Sequence, residues 1–204
     1  MSGPRGISVA RWLVVMSLLM TSAAFAQNAF DYCLLCHGDN ANGNYVIRAP
    51  KLSGMEPWYL TRQLENFAAG IRGTPAEDTS GHEMMPVGLR VRQEGVLANV
   101  VAYIGTLQPK KPEATVSGDV ARGRQLYQTC AACHGARGQG NAELQAPALA
   151  ARSDWYLVTQ LRNFKVGLRG ADERDAPGAQ MRAVTGALPD EQAITDVVAF
   201  INTL

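Results

Sequence analysis

The sequence contains the same unit twice, and this duplication constrains the fold more than any other feature. When the chain is shifted by 97 positions, residues 27–107 align with residues 124–204 without a gap, and 30 of the 81 aligned residues are identical. Identity at this level, in register throughout, indicates an internal duplication. Two copies are too few for a solenoid, so we predict two similar domains in tandem, over residues 27–107 and 117–204.

Residues 1–26 precede the first copy and have the pattern of an export signal. Two arginines and an apolar run lead to Ala-Phe-Ala at residues 24–26, the small-x-small pattern that signal peptidase accepts. We therefore predict a signal peptide over residues 1–26, cleavage before Gln27 and a mature protein in the periplasm. The alternative is an uncleaved anchor, although the 15 residues of 12–26 are fewer than the ~20 that a spanning helix needs.

Apolar residues recur at helical spacing within each copy, and no segment alternates convincingly over the length of a strand. We predict that Pro57 begins a helix of the first copy. Helices of the second copy are expected to begin at Ser117, Ser153 and Pro189. The predicted fold class is therefore all-α. Residues 108–116, with two prolines and three charged side chains, are predicted to form an extended linker between the domains.

The charge balance narrows the range of partners. The chain has 19 lysines and arginines against 18 aspartates and glutamates, which is a net charge of +1. This balance excludes a polybasic nucleic-acid binder and an acidic tail protein, so we expect no nucleic-acid partner.

Each copy contains the pattern Cys-x-x-Cys-His, at residues 33–37 and 130–134. This is the spacing of c-type haem attachment, in which each thiol adds to a porphyrin vinyl group as a thioether and the adjacent histidine lies under the iron. A covalent haem also supplies the large apolar body that a helical unit of about 80 residues needs for its core. We predict two covalent haems, with thioethers at Cys33, Cys36, Cys130 and Cys133 and proximal ligands at His37 and His134.

Three other uses of paired cysteines fit the sequence less well. A thioredoxin-like redox pair belongs in a βαβ context, which is not visible here. A zinc site needs a second pair, but that pair lies 97 residues away, at the centre of its own complete copy. Structural disulfides would leave the histidine that follows each pair unexplained, and would do so twice.

The sixth iron ligand is predicted from the register of the two copies. Met84 and Met181 each lie 51 residues after the first cysteine of their copy, and a short loop separates each from the final helix. A thioether there gives His/Met iron, whose potential exceeds that of bis-histidine iron. A lone methionine is more often a core residue, but repetition in register favours ligation. Met85 is a weaker candidate because Arg182 takes its place in the second copy, and His82 is weaker still because it aligns with an alanine.

Other repeated residues are predicted to surround the haems. Arg72 and Arg169 suit the haem propionates because a guanidinium pairs bidentately with a carboxylate, although a solvated loop charge fits almost as well. Pro50 and Pro147 are expected to shape the proximal loops, where a carbonyl orients the other nitrogen of the ligand histidine. The repeated aromatic residues are expected to line the haem pockets or the domain interface: Trp58, Tyr59, Trp155 and Tyr156.

With these residues the chain resembles the cytochrome c4 family of dihaem c-type cytochromes. The resemblance rests on the two haem motifs, on the methionines before the last helices, and on a segment that both copies share. That segment is Trp-Tyr-Leu-x-x-Gln-Leu-x-Asn-Phe-x-x-Gly-x-Arg-Gly, at residues 58–73 and 155–170. The resemblance implies two class I cytochrome c domains related by a pseudo-twofold axis, with their propionate edges close together. The resemblance also implies the thioether and axial positions given above: Cys33, Cys36, Cys130 and Cys133 for the thioethers, and His37, Met84, His134 and Met181 for the axial ligands.

The resemblance also implies electron delivery in the bacterial periplasm, from a quinol-side or dehydrogenase-side donor to an acceptor such as a terminal oxidase. Loose association with the membrane is common in the family. Because six-coordinate irons leave no open position for a substrate, we expect an electron carrier rather than an enzyme. Two alternatives remain, a fixed cytochrome subunit of a dehydrogenase or oxidase complex and a dihaem peroxidase-like enzyme, against which the two matched methionines argue.

Overall fold

The computed structural model describes residues 30–204, so the predicted signal peptide over residues 1–26 and the cleavage point at Gln27 lie outside the described residues. Regular structure within the described part is helical, apart from two isolated β-bridges, and the predicted all-α class is confirmed. The helices are α1 (30–37), α2 (Pro57–Ala68), α3 (Thr79–Gln93), α4 (Leu97–Thr106), α5 (Val120–His134), α6 (Asp154–Lys165), α7 (Ala176–Gly186) and α8 (Glu191–Ile201).

The two halves of the molecule repeat this order at the spacing of the sequence duplication. Helices α2 and α6 begin 97 positions apart and end 97 positions apart, and α3 and α7 also begin at that offset. The two bridges, Asn44–Ala49 and Asn141–Ala146, follow the same offset. Residues 108–119 join the halves without helix or strand, and they include the predicted linker.

Each half has its own apolar core, built from the predicted helical stripes. Helix α2 packs against α3 and α4 in the first half, and α8 packs against α5 and α6 in the second. Gly123 permits the close approach of α5 to α8, because a Cβ atom there would lie 2.0 Å from the carbonyl oxygen of Asp196. The buried stripe residues are Val96, Val100, Val101 and Ile104 in the first half and Ile194, Val197, Val198 and Ile201 in the second.

Two of the four predicted helix starts differ in the structure. The starts of α2 and α6 are confirmed. Asp119 rather than Ser117 caps α5, and Asp190 caps α8, which begins after Pro189. In both cases an aspartate carboxylate accepts backbone N–H groups of the first turn, which stabilises that turn more than a hydroxyl or a proline one or two residues earlier.

Helices α3 and α7, which contain Met84 and Met181, were not predicted. Their sequences are interrupted by glycines and by Pro86, so no clear apolar stripe marks them. What begins them is an aspartate cap: Asp78 and Asp175 each accept the backbone N–H of a glycine three residues later, at 3.2 and 3.0 Å. Both methionines are therefore held on a helix that precedes the final helix of each half.

Candidate functional site

A cavity of about 320 Å³ in the second half brings together the residues predicted to bind the second haem. Cys130, Cys133, His134 and Met181 all line it. This volume lies within the range of small-molecule and cofactor pockets. The remaining wall includes apolar residues of α6 and α8, among them Leu157, Leu161, Phe164, Val197 and Ile201. The cavity is therefore apolar and combines two thiols, an imidazole and a thioether.

The two motif histidines have the same environment in both halves. The Nδ1 atom of His37 lies 2.6 Å from the carbonyl oxygen of Pro50, and that of His134 lies 2.7 Å from the carbonyl oxygen of Pro147. Because a carbonyl only accepts, Nδ1 carries the proton in each case and Nε2 keeps a free lone pair. Burial lowers the pKa of both imidazoles, which favours the neutral form that can ligate iron. The predicted hydrogen bond from the histidine to the proline carbonyl is therefore present in both halves.

The first cysteine of each motif is a half-buried, neutral thiol. Burial raises the pKa of Cys33 and Cys130 to about 11, whereas Cys36 and Cys133 are exposed. Redox-active cysteine pairs instead have a lowered thiol pKa, so these environments disfavour the thioredoxin-like alternative. In the second half, α5 ends at the motif, and its last turn presents Cys130, Cys133 and His134 together to the cavity.

The candidates for the sixth ligand differ in their surroundings. Met181 is half-buried and lines the cavity, and Met84 is half-buried at the matching position of α3. Met85 is also half-buried, next to Met84 on the same helix. His82 is exposed, and its Nδ1 lies 3.2 Å from the carbonyl oxygen of Gly73. The geometry thus keeps His82 at the surface and leaves Met84 and Met85 half-buried.

A buried hydrogen-bond cluster joins the two halves, and we call it the interface cluster. Arg72 donates to Gln63 of its own half at 2.8 Å and to Tyr156 and Gln160 of the other half at 3.1 and 2.9 Å. Arg169 makes the reciprocal contacts: it donates to Gln160 of its own half at 2.8 Å and to Tyr59 and Gln63 of the other half at 3.0 and 2.8 Å. The interface cluster consists of Tyr59, Gln63, Arg72, Tyr156, Gln160 and Arg169.

The arginines of the interface cluster have capacity for an anion. Their Nε atoms are buried and have no acceptor among the described residues, which suits the carboxylate of a haem propionate. Burial alone would raise the pKa of Tyr156, but the positive charges of Arg72 and Arg169 together have the larger effect. The pKa of Tyr156 is therefore lowered. Gln63 and Gln160 were not predicted as site residues, although their identity in both copies was a signal that could have identified them.

Trp58 packs against the core of its own half, whereas Trp155 contacts the opposite half. The guanidinium of Arg62 lies 5.1 Å from the ring centre of Trp58, and Arg62 donates to the side chain of Gln145 in the other half at 3.0 Å. Trp155 makes an edge contact with Tyr45 of the first half at 5.8 Å between ring centres. Tyr59 and Tyr156 lie at the interface and also line the cavity, so these two residues have both predicted locations.

Comparison with known proteins identifies similar sequences and structures along most of the chain. The family model described as Cytochrome c matches residues 120–204. A cytochrome c4 of Thiocapsa roseopersicina is 31% identical over 170 residues, which cover 78% of this chain and 81% of that protein. A thiosulfate dehydrogenase electron acceptor of Stutzerimonas stutzeri (strain A1501) is 31% identical over 184 residues, which cover 87% and 82%. The crystal structure of reduced recombinant cytochrome c4 from Pseudomonas stutzeri has a TM-score of 0.68 and 25% identity, and the match covers 89% of this chain and 98% of that one.

Proposed function

The chain belongs to the cytochrome c4 family, and on that basis we propose that it carries single electrons in the periplasm between a respiratory donor and an acceptor such as a terminal oxidase. The family is one of electron-transfer cytochromes with covalently bound haem c. The proposal adds that this chain holds two haems, one in each half. It also adds a quinol-side or dehydrogenase-side donor and loose association with the membrane.

The residues of each half have separate tasks in this proposal. The two thiols of each motif form thioethers, and His37 and His134 bind iron through Nε2 while the proline carbonyl fixes the ring through Nδ1. Met84 on α3 and Met181 on α7 would supply a thioether ligand to the iron of each half. Haem c supplies a reversible one-electron couple at its iron when bound. With both axial positions filled, the residues leave no place for a substrate, and the chain acts as a carrier.

One observation carries the proposal: the arrangement that suits haem occurs twice with matching geometry. The histidine-to-carbonyl distances are 2.6 and 2.7 Å, and burial raises the pKa of the first cysteine of each motif to about 11 in both halves. A single haem would leave one of these two arrangements without a use. A pair of one-electron sites in one chain is what an electron carrier that exchanges internally requires.

Intact mass spectrometry and a redox titration test the proposal together. After acid–acetone extraction, which removes only non-covalent haem, we expect the mass of the chain from Gln27 plus two haems. We expect the titration to show two one-electron steps at positive potentials. A mass with one haem or none contradicts the proposal, and a mass that retains residues 1–26 favours the membrane-anchor alternative.

A second candidate is a fixed subunit of a dehydrogenase complex. It is supported by the relative described as a thiosulfate dehydrogenase electron acceptor, which matches 87% of this chain. None of the helices within residues 30–204 combines the length and apolar character that a membrane span needs. Copurification separates the two candidates: a stable complex with a larger redox protein after gel filtration favours the subunit, and elution at the mass of the chain alone favours the carrier.

A further inference from the structure

The peptide group between Pro147 and Ala148 forms a hydrogen bond through its carbonyl oxygen and another through its N–H. Its carbonyl oxygen accepts the Nδ1–H of His134 at 2.7 Å, and its N–H donates to Oε1 of Glu56 at 2.6 Å. Glu56 precedes α2 and belongs to the first half of the chain, so the acceptor comes from across the interface. A carboxylate, a peptide group and the imidazole that is the proposed iron ligand therefore form one continuous chain of hydrogen bonds.

Arg152 holds the carboxylate of Glu56 in this position. Its Nη2 lies 3.5 Å from Oε2 of Glu56 and donates to the carbonyl oxygen of Gly54 at 2.7 Å. Its Nε donates to the carbonyl oxygen of Ala148 at 3.3 Å. The Arg152 side chain is 7% exposed and that of Glu56 is 25% exposed, so this ion pair is largely removed from water.

The first half lacks this arrangement. His37 has the same bond to the carbonyl oxygen of Pro50, but the N–H of the Pro50–Lys51 peptide has no acceptor among residues 30–204. The residue that matches Glu56 in the second copy is Ser153. The side chain next to this peptide is a buried cation, since Lys51 is 2% exposed and its Nζ donates to the carbonyl oxygen of Ala151 at 3.2 Å. The Pro147–Ala148 peptide therefore donates to a carboxylate, and the Pro50–Lys51 peptide has no such acceptor among residues 30–204.

The physical effect of Glu56 follows from polarisation along the chain of hydrogen bonds. A carboxylate that accepts the N–H of a peptide makes its carbonyl oxygen more negative and a stronger acceptor, because linked hydrogen bonds reinforce one another. A stronger acceptor at Nδ1 increases the electron density that the imidazole gives to iron. Greater electron density at the iron stabilises its oxidised form relative to its reduced form.

We infer that Glu56 is a positioning residue for the second haem, which acts in trans through the Pro147–Ala148 peptide on His134 and lowers the affinity of that haem for an electron. Glu56 thus makes two duplicated sites unequal, because no residue of the described part of the chain has the same role toward His37. The inference rests on the proposed function, in which each half holds one haem through its motif histidine.

Glu56→Gln tests the inference because it keeps the size and an acceptor oxygen but removes the charge. In an NMR-monitored redox titration that follows each haem separately, we expect the ratio of reduced to oxidised second haem at a fixed potential to rise about three- to tenfold, where tenfold corresponds to about 59 mV for one electron. The first haem should change by less than half as much. Glu65→Gln is the matched control, since it removes the same charge from an exposed position of α2 and should shift neither haem.

Two further variants separate electrostatics from structure. Glu56→Asp keeps the charge and should shift the second haem less than Glu56→Gln does, and it also provides the test if the glutamine variant does not take up both haems. Glu56→Ala should accelerate hydrogen exchange at the Ala148 amide, whose acceptor is lost, and this readout is independent of the haem potential. Equal shifts from the aspartate and glutamine variants would indicate a merely structural role and overturn the inference.

Failure of the inference is distinguishable from failure of the proposed function. If the unaltered protein shows two one-electron steps and Glu56→Gln shifts neither haem, or shifts both equally, the inference is wrong and the proposed function stands. If the unaltered protein does not show two steps, the proposed function itself is wrong.

Discussion

The two halves are alike where they face each other across the interface cluster, and they differ around their proximal peptides. Arg72 and Arg169 make mirror-image contacts, whereas Glu56 serves one proximal peptide and Lys51 adjoins the other. The reason lies in the pseudo-twofold arrangement. In the interface cluster each arginine contacts both glutamines, so a substitution in one copy changes the surroundings of the matching residue in the other copy. The contacts of Glu56 and Lys51 are each made in one half only, so these two positions are free to diverge. Duplication therefore preserves the shared centre and permits unequal sites beside it.

The methionines provide the largest test of how alike the halves are. Met84→Ala and Met181→Ala should each remove the weak long-wavelength sulfur–iron band of one haem and lower the potential of that haem alone. The shift should be a substantial part of the about 0.8 V range that axial ligands cover. Visible spectroscopy of the oxidised protein and a redox titration measure both effects. Met85→Ala is the control, and if it removes the band while Met84→Ala does not, the register of the two copies does not identify the ligand.

The start of α6 tests a difference between the halves. Asp154 replaces Pro57 of the first copy and accepts bonds from Thr115, Val116 and Asn202 at 2.5–3.0 Å. Burial alone would raise the pKa of Asp154, but these hydrogen bonds to the carboxylate together have the larger effect. The pKa of Asp154 therefore lies below its ordinary value. Asp154→Ala should lower the free energy of unfolding at pH 7 by about 3 kcal/mol, since hydrogen bonds to charged groups are the strong ones.

The pH dependence of this loss has a defined sign. A carboxyl group whose pKa is lower in the folded protein stabilises it above the unfolded pKa, and this contribution disappears as the pH falls through the folded pKa. The difference between Asp154→Ala and the unaltered protein should therefore shrink below about pH 4. Denaturant unfolding of the haem-loaded protein at pH 7 and pH 3 measures it. Glu143→Gln, on an exposed loop, should have no effect at either pH, and a pH-independent loss at Asp154 would contradict the expectation.

The interface cluster should give the smallest effects, and they should be equal in the two halves. Arg72→Met and Arg169→Met each remove three hydrogen bonds but leave Gln63 and Gln160 with one arginine donor. We expect each to lower the free energy of unfolding by about 1–2 kcal/mol, with the two values within about 0.5 kcal/mol. The double variant should lose more than the sum, since neither glutamine then has an arginine donor. Unequal single losses would show that the cluster is not symmetric in energy.

The sequence predicted most of the fold because the duplication and the helical stripes of α4 and α8 are strong signals. It did not predict α3 and α7, since glycines and Pro86 obscure their periodicity and their aspartate caps lie outside any apolar stripe. For the site, the motifs and the proline carbonyls were predictable because their spacing is short and local. Glu56 was not, because its contact with Ala148 spans 92 residues and has no counterpart in the other copy.

Carbon monoxide binding to the fully reduced protein is the most direct test of whether both irons are closed by the chain itself. We expect negligible binding and no peroxidase activity above that of free haem, because the proposal places a histidine and a methionine at the iron of each half. Rapid, stoichiometric binding of carbon monoxide to one native haem, with peroxide turnover to match, would contradict this and identify an enzyme of the dihaem peroxidase type instead of an electron carrier.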